Sequence, residues 1–246
     1  MEDLFISKER KVSAINGTGV QYIPGHFEPL VDLIIDKYLP KNRGGILDLG
    51  GGGLRFAIPV ASLNKKITVV DLDRSSLNIE LIFSRMRING LTDYSDLGVL
   101  KNNILPVVDD VFHFLETAKT SFSLITAFRL IHFFNEKETD SFFRLVSRRL
   151  KKGGIIVISA FTQYDNDNAT CNEIFINSEP VSENLFYRKF SGNCITEKIR
   201  GEQNLSPLVH LFSEDYLKSY LKKYNLKMVS GSLPSTRIVR GYIFIK

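Results

Sequence analysis

The chain has 246 residues, 43% of them hydrophobic and 24% charged, with 32 basic against 27 acidic side chains and a net charge of +5. That apolar content excludes a disordered chain, and the lack of any short repeat excludes a fibrous architecture. At roughly 150 residues per domain, the length fits one large domain or one domain carrying an insertion.

Taken in chain order, residues 28–39 have apolar spacing suited to a helix, with Pro29 in its first turn where a missing N–H costs nothing. Ile46–Leu49 reads as a short buried strand ending in four glycines. A helix over Leu54–Leu63 follows, and Pro59 inside it should kink it. Lys66–Val70 is the expected second strand, Ser76–Asn89 a helix closed by Gly90, and Leu97–Lys101 the third strand. A helix over Val108–Lys119 and a fourth strand, Phe122–Phe128, come next. Asn135 and Glu138 make a capping box for a helix over Glu136–Lys151, which stops at Gly153 before a fifth strand, Gly154–Ala160. Five strands separated by helices predict a parallel sheet covered on both faces.

The rhythm then breaks. Residues 161–212 hold an expected hairpin of Leu185–Phe190 and Cys194–Arg200, joined at Ser191-Gly192-Asn193. Ser213 caps a helix that runs to Tyr224, and Lys227–Ser230 with Ile238–Ile245 form an antiparallel hairpin finishing the sheet. The longest apolar runs, such as Ile155–Phe161, are far short of the roughly 20 residues that span a bilayer. No secretory signal is visible at Met1-Glu-Asp-Leu-Phe, and Cys171 and Cys194 make neither a zinc spacing nor a disulfide framework. A cytoplasmic location is the expectation. The densest basic clusters, Arg148–Lys152 and Lys218–Lys223, fall at helix C-termini, where the dipole favours cations, so a nucleic-acid partner is not expected.

The chemistry-bearing segment is Asp48-Leu-Gly50-Gly51-Gly52-Gly53-Leu54, between a strand and a helix. Glycines there let the backbone approach a ligand closely and present N–H groups. A dinucleotide fingerprint would need a glycine where Arg55 stands, and a phosphate loop would need a Gly-Lys-Ser/Thr end. The remaining reading is an acid-x-Gly-x-Gly turn. Its carboxylate, Asp48, would repel a pyrophosphate and suit a ligand carrying an ammonium group. Asp71 ends the second strand, where an acid accepts hydrogen bonds from ribose hydroxyls, and Asp73 could substitute for it. The bland alternatives are a turn-stabilising Asx residue at Asp48 and a helix cap at Asp71.

With Asp48-Leu-Gly50-Gly51-Gly52, Val69-Val70-Asp71-Leu72 and Leu150-Lys-Lys-Gly153-Gly154, the chain resembles the class I S-adenosylmethionine-dependent methyltransferases. The resemblance covers residues 30–160 and resumes over 210–246. It implies an α/β fold: a seven-stranded, mostly parallel Rossmann-like sheet with the last strand antiparallel and helices on both faces. Residues 1–42 would be an N-terminal helical segment and 43–160 the cofactor-binding core. Residues 161–212 would be an inserted lid with a hairpin, and 213–246 the closing helix and hairpin.

By the same resemblance S-adenosylmethionine is the cofactor and S-adenosylhomocysteine its product. Gly50, Gly51 and Gly52 would make room for the methionine part and Asp48 would face its amino end. Asp71 would hold the ribose and Leu72 would lie against adenine. Asn102 and Asn103 would stand where the third strand commonly ends in an acid that contacts the adenine amine. Phe128 and Tyr22 complete the expected cofactor contacts. Leu54 replaces the family's usual third glycine, and Ser123 the acid often opening the fourth strand.

Methyl transfer needs alignment of a nucleophile and sometimes removal of a proton. His132, just beyond the fourth strand, is a candidate general base, with packing under the sheet as the alternative; His26 is a second candidate, from the N-terminal segment. Arg129, Tyr164 and Phe161 are candidate contacts of the acceptor. No metal-ligand spacing is present. The expected function is methylation of oxygen or nitrogen on a small organic molecule. Methylation of RNA or a protein side chain, and a cofactor-binding protein without transfer activity, are the alternatives. Monomer and homodimer both stay open.

Overall fold

Period-2 alternation sends successive side chains of the central strands to opposite faces of the sheet. In β3 (Gly45–Leu49) Ile46 packs into one helical layer, while Leu47 and Leu49 pack into the other. The computed structural model describes residues 11–13, 20–22, 29–88, 96–161, 178–182, 185–188, 208–234 and 239–246.

Seven strands form the main sheet. Besides β3 these are β4 (Ile67–Asp71), β5 (Ile104–Val108), β6 (Phe122–Phe128), β7 (Leu150–Phe161), β11 (Lys227–Pro234) and β12 (Val239–Ile245). Their order is β11-β12-β7-β6-β3-β4-β5. β3 to β7 run parallel, β12 is antiparallel to β7, and β11 is antiparallel to β12. The chain therefore works outward from β3 to β5 and then returns to β6 on the other side of β3. That reversal leaves a crevice beyond the C-terminal ends of β3 and β6.

One face is covered by α1 (Pro29–Leu33), α2 (Ala57–Ser62), α3 (Ile79–Ile88) and α4 (Leu97–Asn103), through residues such as Leu30, Phe56, Ile58, Ile82 and Leu100. The other is covered by α5 (Val111–Thr117), α6 (Glu136–Arg149) and α7 (Glu214–Lys223), through Leu115, Phe142, Phe143, Val146 and Leu217. The first helix continues beyond Leu33 as a wide turn over Ile34–Tyr38 and a tight one over Leu39–Lys41. α6 has the expected capping box: Asn135 Oδ1 accepts from Glu138 N at 2.9 Å, and Glu138 Oε2 accepts from Asn135 N at 2.8 Å.

Two elements correct the expectations. Leu97–Lys101 is not a strand but most of α4, capped by Asp96, whose carboxylate accepts from Val99 N at 3.1 Å. The third strand is β5. Its Pro106 cannot donate to a ladder, but β5 is the outermost strand and one of its sides needs no partner. The helix after the glycines begins at Ala57 rather than Leu54. Pro59 thus sits in its first turn, where no N–H partner is required, and kinks nothing.

A two-stranded antiparallel sheet, β1 (Lys11–Ser13) with β2 (Val20–Tyr22), precedes α1. After β7, β9 (Leu185–Arg188) pairs antiparallel with β8 (Ser178–Ser182) and with β10 (Leu208–His210). The expected partner, Cys194–Arg200, lies outside the described residues. His210 anchors the end of β10. It is fully buried, its Nδ1 is 3.3 Å from Thr139 Oγ1, and burial pushes its pKa down to about 4, so it is neutral.

The basic clusters have structural partners. Arg149 donates from Nε to Leu115 O and from Nη2 to Glu116 O, both at 2.6 Å, closing α5. Lys223 reaches Asp140 at 2.6 Å, and Lys218 reaches Glu214 and Asp215 at 3.1 Å. No described helix is long and apolar enough to cross a membrane.

Candidate functional site

Everything at the crevice is hung from the ends of parallel strands. After Leu49 the chain turns through Gly50, whose φ of +65° is left-handed and whose Cα lies against Leu130: an added Cβ would sit 2.9 Å from Leu130 Cδ1. Gly50 N donates to Val70 O at 2.8 Å, tying the turn to the neighbouring strand. Gly52 N donates to Asp71 Oδ2 at 2.9 Å, and Gly53 N to Ser76 O at 2.8 Å. Leu54 keeps a φ of +57° although it is not glycine, a strained backbone held by a fully buried side chain.

Two carboxyls flank this turn. Asp48, 2% exposed, has Thr126 directly across in the parallel register of β3 and β6. Thr126 Oγ1 donates to Asp48 Oδ1 at 2.6 Å. Burial pushes the Asp48 pKa up to about 7, against the lowering effects of the Thr126 hydroxyl and the nearby Arg55; the Asp71 charge adds to the rise. Asp71 accepts from Gly52 N and, through Oδ1, from Asp73 N at 2.9 Å. Burial raises its pKa too, and those two N–H groups oppose the rise. Asp73 does different work: its Oδ1 accepts from Ser75 N at 2.9 Å and caps the tight turn Arg74–Leu77. Of the two acids, Asp71 is the one held against the glycine turn.

Leu72 and Val108, the residues just past β4 and at the end of β5, are 39% and 46% exposed. Beside them stands an acid that sequence reasoning missed, Asp109. Its N donates to Asp71 O at 3.1 Å, and its carboxylate lies 2.8 Å from His113 Nδ1. Asn102 and Asn103 are not at this edge. They end α4, before β5 begins, and Asn103 Nδ2 donates to Ala61 O at 3.1 Å. The third strand thus ends at Val108 rather than at Lys101, and the acid just beyond its end is Asp109.

From β6 the structure brings Phe128, Arg129 and His132 to the crevice side. Phe128 packs edge-on to Phe56 with centroids 5.6 Å apart. Arg129 takes a left-handed φ of +52°, and its N is held by Ser159 O at 2.8 Å and Ser159 Oγ at 3.1 Å. His132 is 2% exposed, with its ring 4.2 Å from Phe133 and 4.1 Å from Phe161. The packing alternative therefore describes its surroundings. His26 and Tyr164 lie outside the described residues, and of Tyr22 only the backbone, in β2, is described. Among the described residues no three His, Cys, Asp or Glu side chains gather as a metal site.

The sequence matches the family described as "Methyltransferase domain" over residues 26–231. The chain belongs to this family. No curated protein matches it. A S-adenosylmethionine-dependent methyltransferase from Methanosarcina mazei matches at a TM-score of 0.61 with 18% identity, over 87% of this chain and 96% of that one. The glycopeptide N-methyltransferase MtfA, crystallised with S-adenosylmethionine, matches at 0.60 with 11% identity, over 91% and 96%. The magnesium protoporphyrin IX methyltransferase ChlM from Synechocystis PCC 6803, with bound S-adenosylhomocysteine, matches at 0.55 with 12% identity, over 89% and 80%. At such identities the likeness is one of fold. The chain is thus a methyltransferase by family, with the fold of the S-adenosylmethionine-dependent enzymes it resembles, and its sheet order is the one in which the crevice falls between β3 and β6.

Proposed function

We propose that the protein methylates an oxygen or nitrogen nucleophile of a small organic molecule, in the cytoplasm, and binds its cofactor along the row Asp48, Gly50–Gly52, Asp71, Leu72, Val108 and Asp109. The observation that carries this reading is the order of chemistry along the crevice. A buried acid stands at one end, then a cradle that a Cβ would fill, then an acid tied to that cradle. Two exposed apolar side chains and a third acid stand at the other end. Those features fit an ammonium, a ribose and an aromatic base with an amine, in that sequence. When bound, S-adenosylmethionine supplies a methyl group on a sulfonium, an already activated donor.

The chain's own residues do the holding. Asp48 takes the ammonium end and Asp71 accepts from the ribose hydroxyls. Leu72 and Val108 cover the base, and the Asp109 carboxylate accepts from its amine. Arg129 and Phe161, at the ends of β6 and β7, face the acceptor. MtfA and ChlM act, by name, on a glycopeptide and a porphyrin, and a small organic acceptor is in keeping with both.

Calorimetry with S-adenosylhomocysteine tests the first link. Binding is expected, and Asp71→Ala should weaken it by about 1–3 kcal/mol, because ribose hydroxyls are left unpaired. Unchanged affinity in that variant would remove Asp71 from the site. Once a screen yields an acceptor, His132→Ala tests proton removal. A variant that still binds S-adenosylhomocysteine but loses about a hundredfold or more in kcat supports the role. Full turnover assigns His132 to packing alone. Turnover itself separates an enzyme of small molecules from one of RNA or protein, and from a binding protein.

A further inference from the structure

Thr126 is the fully buried polar residue of β6, whose other polar residue, Ser123, is only half-buried near the strand's start, and nothing in the transfer chemistry calls for it. It stands opposite Asp48 in the β3–β6 register, at the point where the strand order reverses. Its hydroxyl donates to one oxygen of Asp48, Oδ1, at 2.6 Å, and lies 3.4 Å from Leu47 O. The other oxygen, Oδ2, lies against the glycine turn: a Cβ added at Gly51 would come within 2.5 Å of it. The carboxyl is thus divided between a fixed oxygen and one presented to the turn. Among the described residues, the hydroxyl of Thr126 is its hydrogen-bond donor.

Resting on the cofactor site proposed above, we propose that Thr126 is a positioning residue for that site. Its hydroxyl orients the Asp48 carboxyl and favours its charged form, and so sets the pH above which the site accepts a ligand bearing an ammonium group. Among the described residues, two charged groups act on Asp48. Arg55, just after the turn, favours ionisation, and Asp71, on β4, opposes it; burial opposes it most strongly. A single neutral hydroxyl is therefore a large part of what makes the carboxylate available. Because the free carboxyl holds a proton near neutrality, ammonium binding releases that proton, and affinity rises with pH through the same range.

Thr126→Val keeps the shape of the side chain and removes the donor, which moves the carboxyl's titration to higher pH. The test is calorimetry with S-adenosylhomocysteine from pH 5.5 to 8.5 in buffers of differing ionisation enthalpy. A second probe, 5′-methylthioadenosine, carries the same nucleoside without the amino-acid part. In the wild type, S-adenosylhomocysteine binding should tighten with rising pH and release protons. In Thr126→Val, a titration moved from about pH 7 to about pH 8 should lower the affinity about fivefold at pH 7 and about tenfold below pH 6, with the loss shrinking as pH rises. Thr126→Ser, which restores the hydroxyl, should recover the wild-type profile. Binding of 5′-methylthioadenosine should stay independent of pH and of the Val substitution. An unmoved pH midpoint in Thr126→Val, or an equal loss for both probes, overturns the proposal and leaves Thr126 a packing residue. Failure of the wild type to bind S-adenosylhomocysteine at any pH would instead overturn the cofactor site itself.

Discussion

Gly52→Ala is expected to abolish useful cofactor binding while leaving the fold in place. The φ of Gly52 is not left-handed, so alanine meets no backbone penalty there. The obstacle is space. A Cβ would lie 2.7 Å from Asp71 Oδ2 and 2.9 Å from Ser76 Oγ, both too close for real contacts. The Asp71 carboxylate must move, and its bond from Gly52 N moves with it. Overpacking of this kind costs about 1–3 kcal/mol of stability. The cost to binding is larger, because the displaced carboxylate no longer meets the ribose and the methyl group also fills the cradle. A loss of about a hundredfold or more, roughly 3 kcal/mol, follows from losing both together.

The double variant with Asp71→Ala separates the two effects. Removing the carboxylate relieves the clash, so stability should return toward that of Asp71→Ala alone while binding does not. That non-additivity is what residues in contact show. Wild-type affinity in Gly52→Ala would mean that the ligand does not pass over the glycine turn.

Why the sequence gives away one end of this row and hides the other can be traced to particular residues. β3, β4, β6 and the later part of β7 are apolar runs, and Asp48 and Asp71 stand next to the end of β3 and at the end of β4, so both acids are legible from spacing. β5 is not. Pro106 breaks its appearance as a strand, and Leu97-Gly-Val-Leu-Lys101 imitates one nearby, although Asp96 just before it is a helix-capping residue. A strand read over Leu97–Lys101 puts Asn102 and Asn103 at its end and hides Asp109. Only the edge position of β5, a property of the whole sheet, makes Pro106 acceptable.

Thr126 is hidden for another reason. Threonine is an ordinary strand residue, and nothing local distinguishes one whose hydroxyl serves a carboxylate on the next strand. His132 shows the limit from the opposite side. Its position after β6 suggests a base, but the rings of Phe133 and Phe161 that enclose it meet only in the fold.

Asp48→Asn is expected to change stability and binding in opposite directions. In the folded chain the Asp48 pKa is about 7, against 3.8 for the unperturbed group. Below about pH 3.8 the group is protonated in both states and has no cost. Between that value and about 7 the folded chain holds a proton that the unfolded chain has lost. The stability associated with the protonated form therefore declines as pH rises, and it is gone above 7, where folding buries a charge. Asparagine is neutral throughout and can still accept from Thr126 through its amide oxygen. The difference in stability between Asp48→Asn and wild type should favour the variant increasingly from pH 5 to 8, by on the order of 3 kcal/mol at the upper end.

Binding moves the other way. An ammonium in the crevice loses its carboxylate partner, and truncating one side of a buried charged pair costs about 2–5 kcal/mol. S-adenosylhomocysteine should therefore bind at least about thirtyfold more weakly to the variant at pH 8, with the gap narrowing toward pH 6, where wild-type Asp48 is itself protonated. Thermal melts of both proteins across pH, with calorimetry at pH 6 and 8, measure both effects. A stability difference that does not grow with pH would refute the buried, protonated carboxyl. A more stable variant that binds as tightly as wild type would leave Asp48 buried but remove it from the ligand.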